Sequence, residues 1–218
     1  MKKESICIVA DEKTDKDIID FLLYKYEISD IISIPDFLIK VDEAYEEERR
    51  LEINPEFIII NNDSSKHLDI LFEIFYENYG EISRFIPKFL AFGTAAIALG
   101  KMNNCIVLTD VNNHNNTSHL TTFCMNDDKL LDFTVRSNHN ELLYPTSENG
   151  EILAFSTHNL SSSYTDSANN NTFKAKRNFL EVEGIKFRNT KCYCFMYEPP
   201  NSSESVLIDI TSQFLRND

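Results

Sequence analysis

Pro87-Lys-Phe-Leu-Ala-Phe-Gly-Thr-Ala-Ala-Ile-Ala-Leu-Gly100 is the stretch on which the fold turns. Phe89 to Phe92 is a short apolar run of the kind that forms a strand buried on both faces. The chain then turns at Gly93-Thr94, continues in the helix formers Ala95 to Leu99, and reaches at Gly100 a residue that commonly stops a helix. Strand, tight turn and helix together form the elbow on which several α/β hydrolytic enzymes mount a nucleophile, because the turn lifts one side chain clear of the sheet. On this spacing the apex side chain is Phe92, and a phenyl ring cannot attack a carbonyl.

Upstream, Ser5 to Ala10, Ile31 to Ile34 and Pro55 to Ile60 are further short apolar runs that read as strands. Between the first two, Thr14 caps a helix with Ile18, Phe21, Leu22 and Tyr26 on one face. Asp42 to Arg50 mixes both signs of charge and reads as a solvated helix face. The polar loop Asn61 to Ser65 leads into an amphipathic helix carrying Leu68, Leu71, Phe72 and Phe75. Strands alternating with helices predict an α/β fold, a mostly parallel central sheet flanked by helices in flavodoxin-like layering. Ligands of such sheets bind beyond the C-terminal strand ends, which places Asn61 to Ser65 and Phe92 to Thr94 on the rim of any site.

Downstream, Cys105 to Leu108, Leu120 to Cys124, Leu130 to Val135 and Gly150 to Phe155 read as strands. The loops among them carry His114, His119 and His139, three of the five histidines. A histidine in a polar loop is most often a hydrogen-bonding group. These three would make a metal set, but no carboxylate-plus-histidine spacing on a helix supports one, so neither metal nor cofactor is expected. Ser156 to Thr172, rich in Ser, Asn and Thr, reads as an exposed loop, and Lys174, Lys176 and Arg177 as a solvated basic patch. Phe179 to Phe187 and Lys191 to Met196 form a hairpin around Arg188-Asn189, and Ser205 to Leu215 a closing helix with Val206, Ile210 and Phe214 inward.

The 218 residues fit a single domain spanning 1–218, with an exposed polar loop near 156–172. Thirty-five acidic against 21 basic residues leave a net charge of −14, which argues against nucleic acid or an anionic membrane as partner. The five cysteines, Cys7, Cys105, Cys124, Cys192 and Cys194, contain no Cys-x-x-Cys pair and read as reduced, mostly buried thiols. With no signal peptide or bilayer-spanning run in view, a cytoplasmic location is expected.

The order of the pieces resembles the class I glutamine amidotransferase-like family, especially its small phage and bacterial members. Val111-Asn-Asn-His114 with His119, then Val135, Ser137, His139 and Pro145, then Ile152-Leu-Ala154 follow the elbow in the family's order. Pro55 to Ser65 is similar to the family's strand and oxyanion loop, so the resemblance covers most of residues 5 to 215. Its implied pocket is Asn61, Asn62, Gly93, Thr94, His114, His119, Ser137, His139 and Glu141. The departures lie at the chemistry. The family's Gly-x-Cys-x-Gly-x-Gln falls on Leu90, Phe92, Thr94 and Ala96, Asn61-Asn62 replaces the oxyanion glycines, and the base and its orienter fall on Glu198 and Pro200. The resemblance thus implies a catalytically degenerate, phage-encoded binding, regulatory or structural module. Its expected partner is a protein, a ligase or another phage or host protein. Two alternatives stand beside it: a subunit releasing ammonia for a ligase, and a rebuilt hydrolase using Glu198 with His139.

Overall fold

Residues 6–11, 16–25, 28–77, 86–125, 129–146, 148–156, 161–176, 179–200 and 204–216 are described in a computed structural model of the chain. Four apolar segments form its parallel half: β1 (Ile6–Ala10), β2 (Ile28–Ser33), β3 (Pro55–Ile60) and β4 (Lys88–Phe92) pair in the order β2-β1-β3-β4. On the far side of β4 lies β13 (Cys192–Phe195), also parallel, with Phe195 level with Phe92. Alternate residues of these strands feed two cores. Val9, Ile58, Ile60, Phe89 and Ala91 pack with α2 (Ile34–Glu46), α3 (Leu68–Phe72) and α4 (Thr94–Met102). Ile8, Phe57, Ile59, Leu90 and Phe92 pack with α1 (Lys16–Lys25) and α5 (Ser205–Arg216). Burial on both faces is why the strands read as unbroken apolar runs.

Element ends follow local chemistry. The Ser33 hydroxyl accepts from the Asp36 N–H at 3.2 Å and caps α2, and Pro35 suits its first turn. The strand expected over Ile31 to Ile34 therefore runs from Ile28 to Ser33, and Ile34 already belongs to the helix. Gly100 does not stop α4, which continues to Met102. Leu143 presses on Gly100 so closely that a Cβ there would overlap its side chain. In α5 the inward face is Leu207, Ile210 and Phe214, while Val206 is 51% exposed. The Thr14 cap, Tyr26, Arg177 and the side chain of Phe21 lie outside the described residues.

Beyond β13 the sheet changes direction. β12 (Glu181–Phe187), β9 (Gly150–Ser156), β6 (Thr117–Cys124) and β7 (Leu130–Ser137) complete it as antiparallel strands, giving the order β2-β1-β3-β4-β13-β12-β9-β6-β7. The nine-stranded sheet is therefore mixed, not mostly parallel as the alternating pattern predicted. The connections β6–β7 and β12–β13 are too short for the crossover that parallel pairing needs. A four-stranded antiparallel sheet, β11-β10-β5-β8, lies beside it, built from β5 (Ile106–Thr109), β8 (Leu142–Tyr144), β10 (Ser163–Asp166) and β11 (Asn171–Lys174). Its hairpin β10–β11 stands where an exposed loop was expected. Every residue of β11 is exposed, which accounts for the polar composition, but Tyr164 on β10 is fully buried with Leu108, Val111 and Leu142. No helix among the described residues is long and apolar enough to cross a membrane.

Candidate functional site

Two places answer to the residues singled out by sequence. The first is the elbow. Its apex is Gly93, with φ 57° and ψ −127° between the end of β4 and the start of α4. Phe92 is still a strand residue, fully buried, its ring stacked on Phe195 at 5.3 Å and set edge-on to Tyr197 at 6.2 Å. The expectation that Phe92 caps the turn is thus one residue out of register, because an unbroken apolar run carries no mark of where its last inward side chain lies.

Beside this apex stands Asn62, on the loop after β3. A Cβ built on Gly93 would lie 2.5 Å from Asn62 Oδ1. The same oxygen accepts from the Thr94 N–H at 2.7 Å and the Thr94 hydroxyl at 2.8 Å. In an elbow, the N–H of the residue after the apex is the group that binds an oxyanion; here an amide oxygen holds it. Asn61 is buried and turned inward, its side chain accepting from the Asp63 N–H at 2.9 Å. Glu198 pairs with Arg136 at 3.1 Å, and Pro200 is buried nearby in sequence. His139 turns its ring nitrogens to the Glu141 carbonyl and to Glu183, so the Glu198–His139 acid–base pair does not form.

Each cysteine is held away from its thiolate form. Burial pushes the thiols of Cys7 and Cys192 up to about 11 and that of Cys105 up to about 12. Burial also raises Cys124, and Cys194 well beyond the ordinary thiol range. A reactive cysteine needs the opposite shift.

The second place brings together His114, His119 and His139 with two carboxylates that the sequence did not single out, Glu181 and Glu183. All five are at most 4% exposed. His114 lies in the Asp110 to Asn116 loop, where Asp110, Asn113 and Asn116 adopt positive φ, a region that Asn and Asp tolerate best. The His139 N–H donates to the His114 carbonyl at 3.0 Å, fastening the two histidine loops to each other. His119 points inward from β6, with Nε2 2.8 Å from the Ser137 hydroxyl. Glu183 is the extra residue of a bulge: Val182 pairs with Phe155 and Gly184 with Ala154, leaving Glu183 unpaired between them. Bulges re-aim side chains in this way.

Glu183 Oε1 lies 3.0 Å from His114 Nε2 and 3.4 Å from His119 Nε2, and Oε2 lies 3.8 Å from His139 Nε2. Glu181 Oε2 is 3.2 Å from His114 Nε2. Despite these distances, His114 Nε2, His139 Nε2, Glu181 Oε2 and both Glu183 oxygens have no hydrogen-bond partner of acceptable geometry. The far sides of the groups are well held. His114 Nδ1 meets the Asn112 carbonyl at 3.1 Å and His139 Nδ1 the Glu141 carbonyl at 2.8 Å. Glu181 Oε1 accepts from the Ser161 N–H at 2.9 Å and the Tyr164 hydroxyl at 2.6 Å. Burial pushes the Glu183 carboxyl up, but the imidazoles of His114 and His139 pull it down further, to about 2. Burial likewise pushes His114 down, and Glu183 and Glu181 more than offset it; in His119 burial dominates and the value stays low. Glu141, the remaining candidate, contributes its carbonyl, while its carboxylate faces Lys101 Nζ at 3.3 Å.

No family model and no curated protein matches this sequence. Solved structures do. A Thermoplasma acidophilum protein provisionally assigned to GMP synthase, as one of its subunits, superposes with TM-score 0.56 at 12% identity, over 98% of this chain and 94% of its own. A glutamine amidotransferase of Thermotoga maritima gives TM-score 0.53 at 11% identity, over 98% and 84%. A ThuA-like protein of Bacteroides uniformis gives 0.52 at 12%, over 99% and 93%. At such identities the likeness is one of fold alone.

Proposed function

We propose that this chain is a glutamine amidotransferase-fold protein whose elbow no longer hydrolyses amides, and that it works by binding, as a regulatory or structural module for a protein partner. The observation that carries this is the Asn62 side chain, which fills the space a nucleophile would need above Gly93 and takes the Thr94 N–H that would bind an oxyanion. Three further features support it. The thiols are all pushed away from their reactive form. Glu198 is engaged with Arg136. Phe92, Phe195 and Tyr197 pack an aromatic floor beneath the turn.

The test is ammonia release from glutamine by the full chain, alone and with candidate ligases. Turnover is expected to match buffer. Release above background that disappears when cysteines are alkylated would mean that a thiol still works here, and would return the chain to the amidotransferases.

A further inference from the structure

The cluster around Glu183 has the construction of a metal centre, and it owes nothing to the elbow. We propose that His114, His119 and Glu183, flanked by His139 and Glu181, bind one divalent first-row transition cation, with zinc the best fit. Three observations lead there.

The first is spacing. Tetrahedral Zn–N and Zn–O bonds of about 2.0–2.1 Å put donor atoms roughly 3.3 Å apart. The gaps from Glu183 Oε1 to His114 Nε2 and His119 Nε2, and from Glu181 Oε2 to His114 Nε2, are 3.0, 3.4 and 3.2 Å. One donor atom from each of His114, His119 and Glu183 lies within 4.8 Å of the others.

The second is direction. Buried polar groups this close ordinarily align into hydrogen bonds, because leaving one unpaired is costly. These lie side by side with none, on His114 Nε2, His139 Nε2, Glu181 Oε2 and both oxygens of Glu183. A shared ion would take up the lone pairs of atoms left this close without an aligned hydrogen bond.

The third is support from behind. Metal-bound histidines give their second ring nitrogen to a carbonyl or carboxylate, which fixes the tautomer. The Nδ1 atoms of His114 and His139 each meet a backbone carbonyl, leaving Nε2 free to face inward. Ser161 and Tyr164 hold the outer oxygen of Glu181 and leave the inner one bare. Two carboxylates also balance the charge of a divalent ion, so the buried site is neutral with neutral imidazoles.

Imidazole and carboxylate together suit zinc, iron or manganese, and the near-complete burial of every ligand matches the closed sites that stabilise folds. Binding needs one adjustment: the Ser137 hydroxyl, now 2.8 Å from His119 Nε2, must rotate off that lone pair.

The full chain, made in metal-replete medium and purified without metal-affinity resin, is assayed for metal by mass spectrometry. About one equivalent per chain is expected, with an absorption-edge spectrum showing only nitrogen and oxygen near 2.0–2.1 Å. Stripping with a strong chelator is expected to lower the melting midpoint by about 10 °C or more, and Zn²⁺ to restore it. Glu183→Gln and His119→Asn are each expected to drop the metal below about a tenth of an equivalent. Iron or manganese at full stoichiometry supports the site and changes only the ion. Three results overturn the proposal: a metal-free wild type whose melting ignores added Zn²⁺, Mn²⁺ and Fe²⁺; sulfur in the coordination shell; or full metal content in folded Glu183→Gln. If neither variant folds, the wild-type content and spectrum still decide. Failure here leaves the silent elbow untouched, and glutamine turnover would leave the metal centre untouched.

Discussion

Gly93 and Asn62 are a coupled pair, and the coupling can be measured. Ala at position 93 must hold a φ of 57° and also displace Asn62 Oδ1. Backbone strain of this kind costs about 1–3 kcal/mol, and the clash adds to it. Gly93→Ala is therefore expected to destabilise the chain by about 2–3 kcal/mol in denaturant unfolding. Asn62→Ala alone loses the cap on Thr94, worth about 1 kcal/mol. In the double variant the clash is gone, so the combined loss should fall short of the sum; simple additivity would show that Asn62 does not press on the apex. The thiols give a second expectation. With Cys7 and Cys192 near 11, about one in a thousand is thiolate at pH 8, so alkylation of the native chain should be slow at both, and a fast-labelling cysteine at pH 7 would contradict the burial described. At this scale the sequence was half legible. His114, His119 and His139 stood out as polar residues in loops between strands, and Ser137 through the family resemblance, although His119 proves to lie on β6 and Ser137 on β7. Glu181 and Glu183 did not, although two carboxylates at a spacing of two inside the apolar run Phe179 to Phe187 were a signal that buried charge had to be answered by something. Which imidazoles answer it depends on strands far apart in sequence.

Among the elements, α4 shows how a glycine changes meaning with its neighbour. In an exposed helix, Gly→Ala gains up to about 1 kcal/mol. At Gly100 the new methyl would run into Leu143, which is fully buried and has no room to turn away. Overpacking costs of about 1–3 kcal/mol exceed the propensity gain, so Gly100→Ala should destabilise by about 1–2 kcal/mol. In a Leu143→Ala background the same change should become stabilising, and a loss that persists there would locate the constraint elsewhere than Leu143. From sequence, Gly100 looked like a helix stop, since nothing local announces that β8 crosses there. The strands themselves were mostly legible from their apolar runs, and the β12–β13 hairpin from its short polar turn at Arg188-Asn189. The hairpin β10–β11 was not, because β11 exposes every side chain and so carries no apolar alternation.

Across the whole molecule, the two halves of the sheet are held by different means. The parallel half is closed by helices on both faces over two apolar cores. The antiparallel half carries the polar cluster, and the loops that bring His114 and His139 to Glu183 are tied by a few bonds: Val111 N–H to the Asn140 carbonyl, His139 N–H to the His114 carbonyl, and Asn112 to the Ser161 hydroxyl, which accepts from its N–H and donates to its carbonyl. Alternating strands and helices foretold the first half and extrapolated it to the second; that the sheet reverses beyond β13 follows from short connections whose pairing partners are set by tertiary packing. If an ion joins the loops to β12, its removal leaves two carboxylates and three imidazoles crowded together with nothing between them, and the loosest segments should give way first. Hydrogen exchange of the stripped chain should therefore accelerate about tenfold or more at the Val111, Asn112 and His139 amides, while the amides of β1, β3 and β4 hold their protection within about twofold. Uniform loss across both halves would mean that the ion stabilises the molecule globally and not through these loops. No change at all would mean that the loops are held without it, and the buried carboxylates of Glu181 and Glu183 would then need another counterweight.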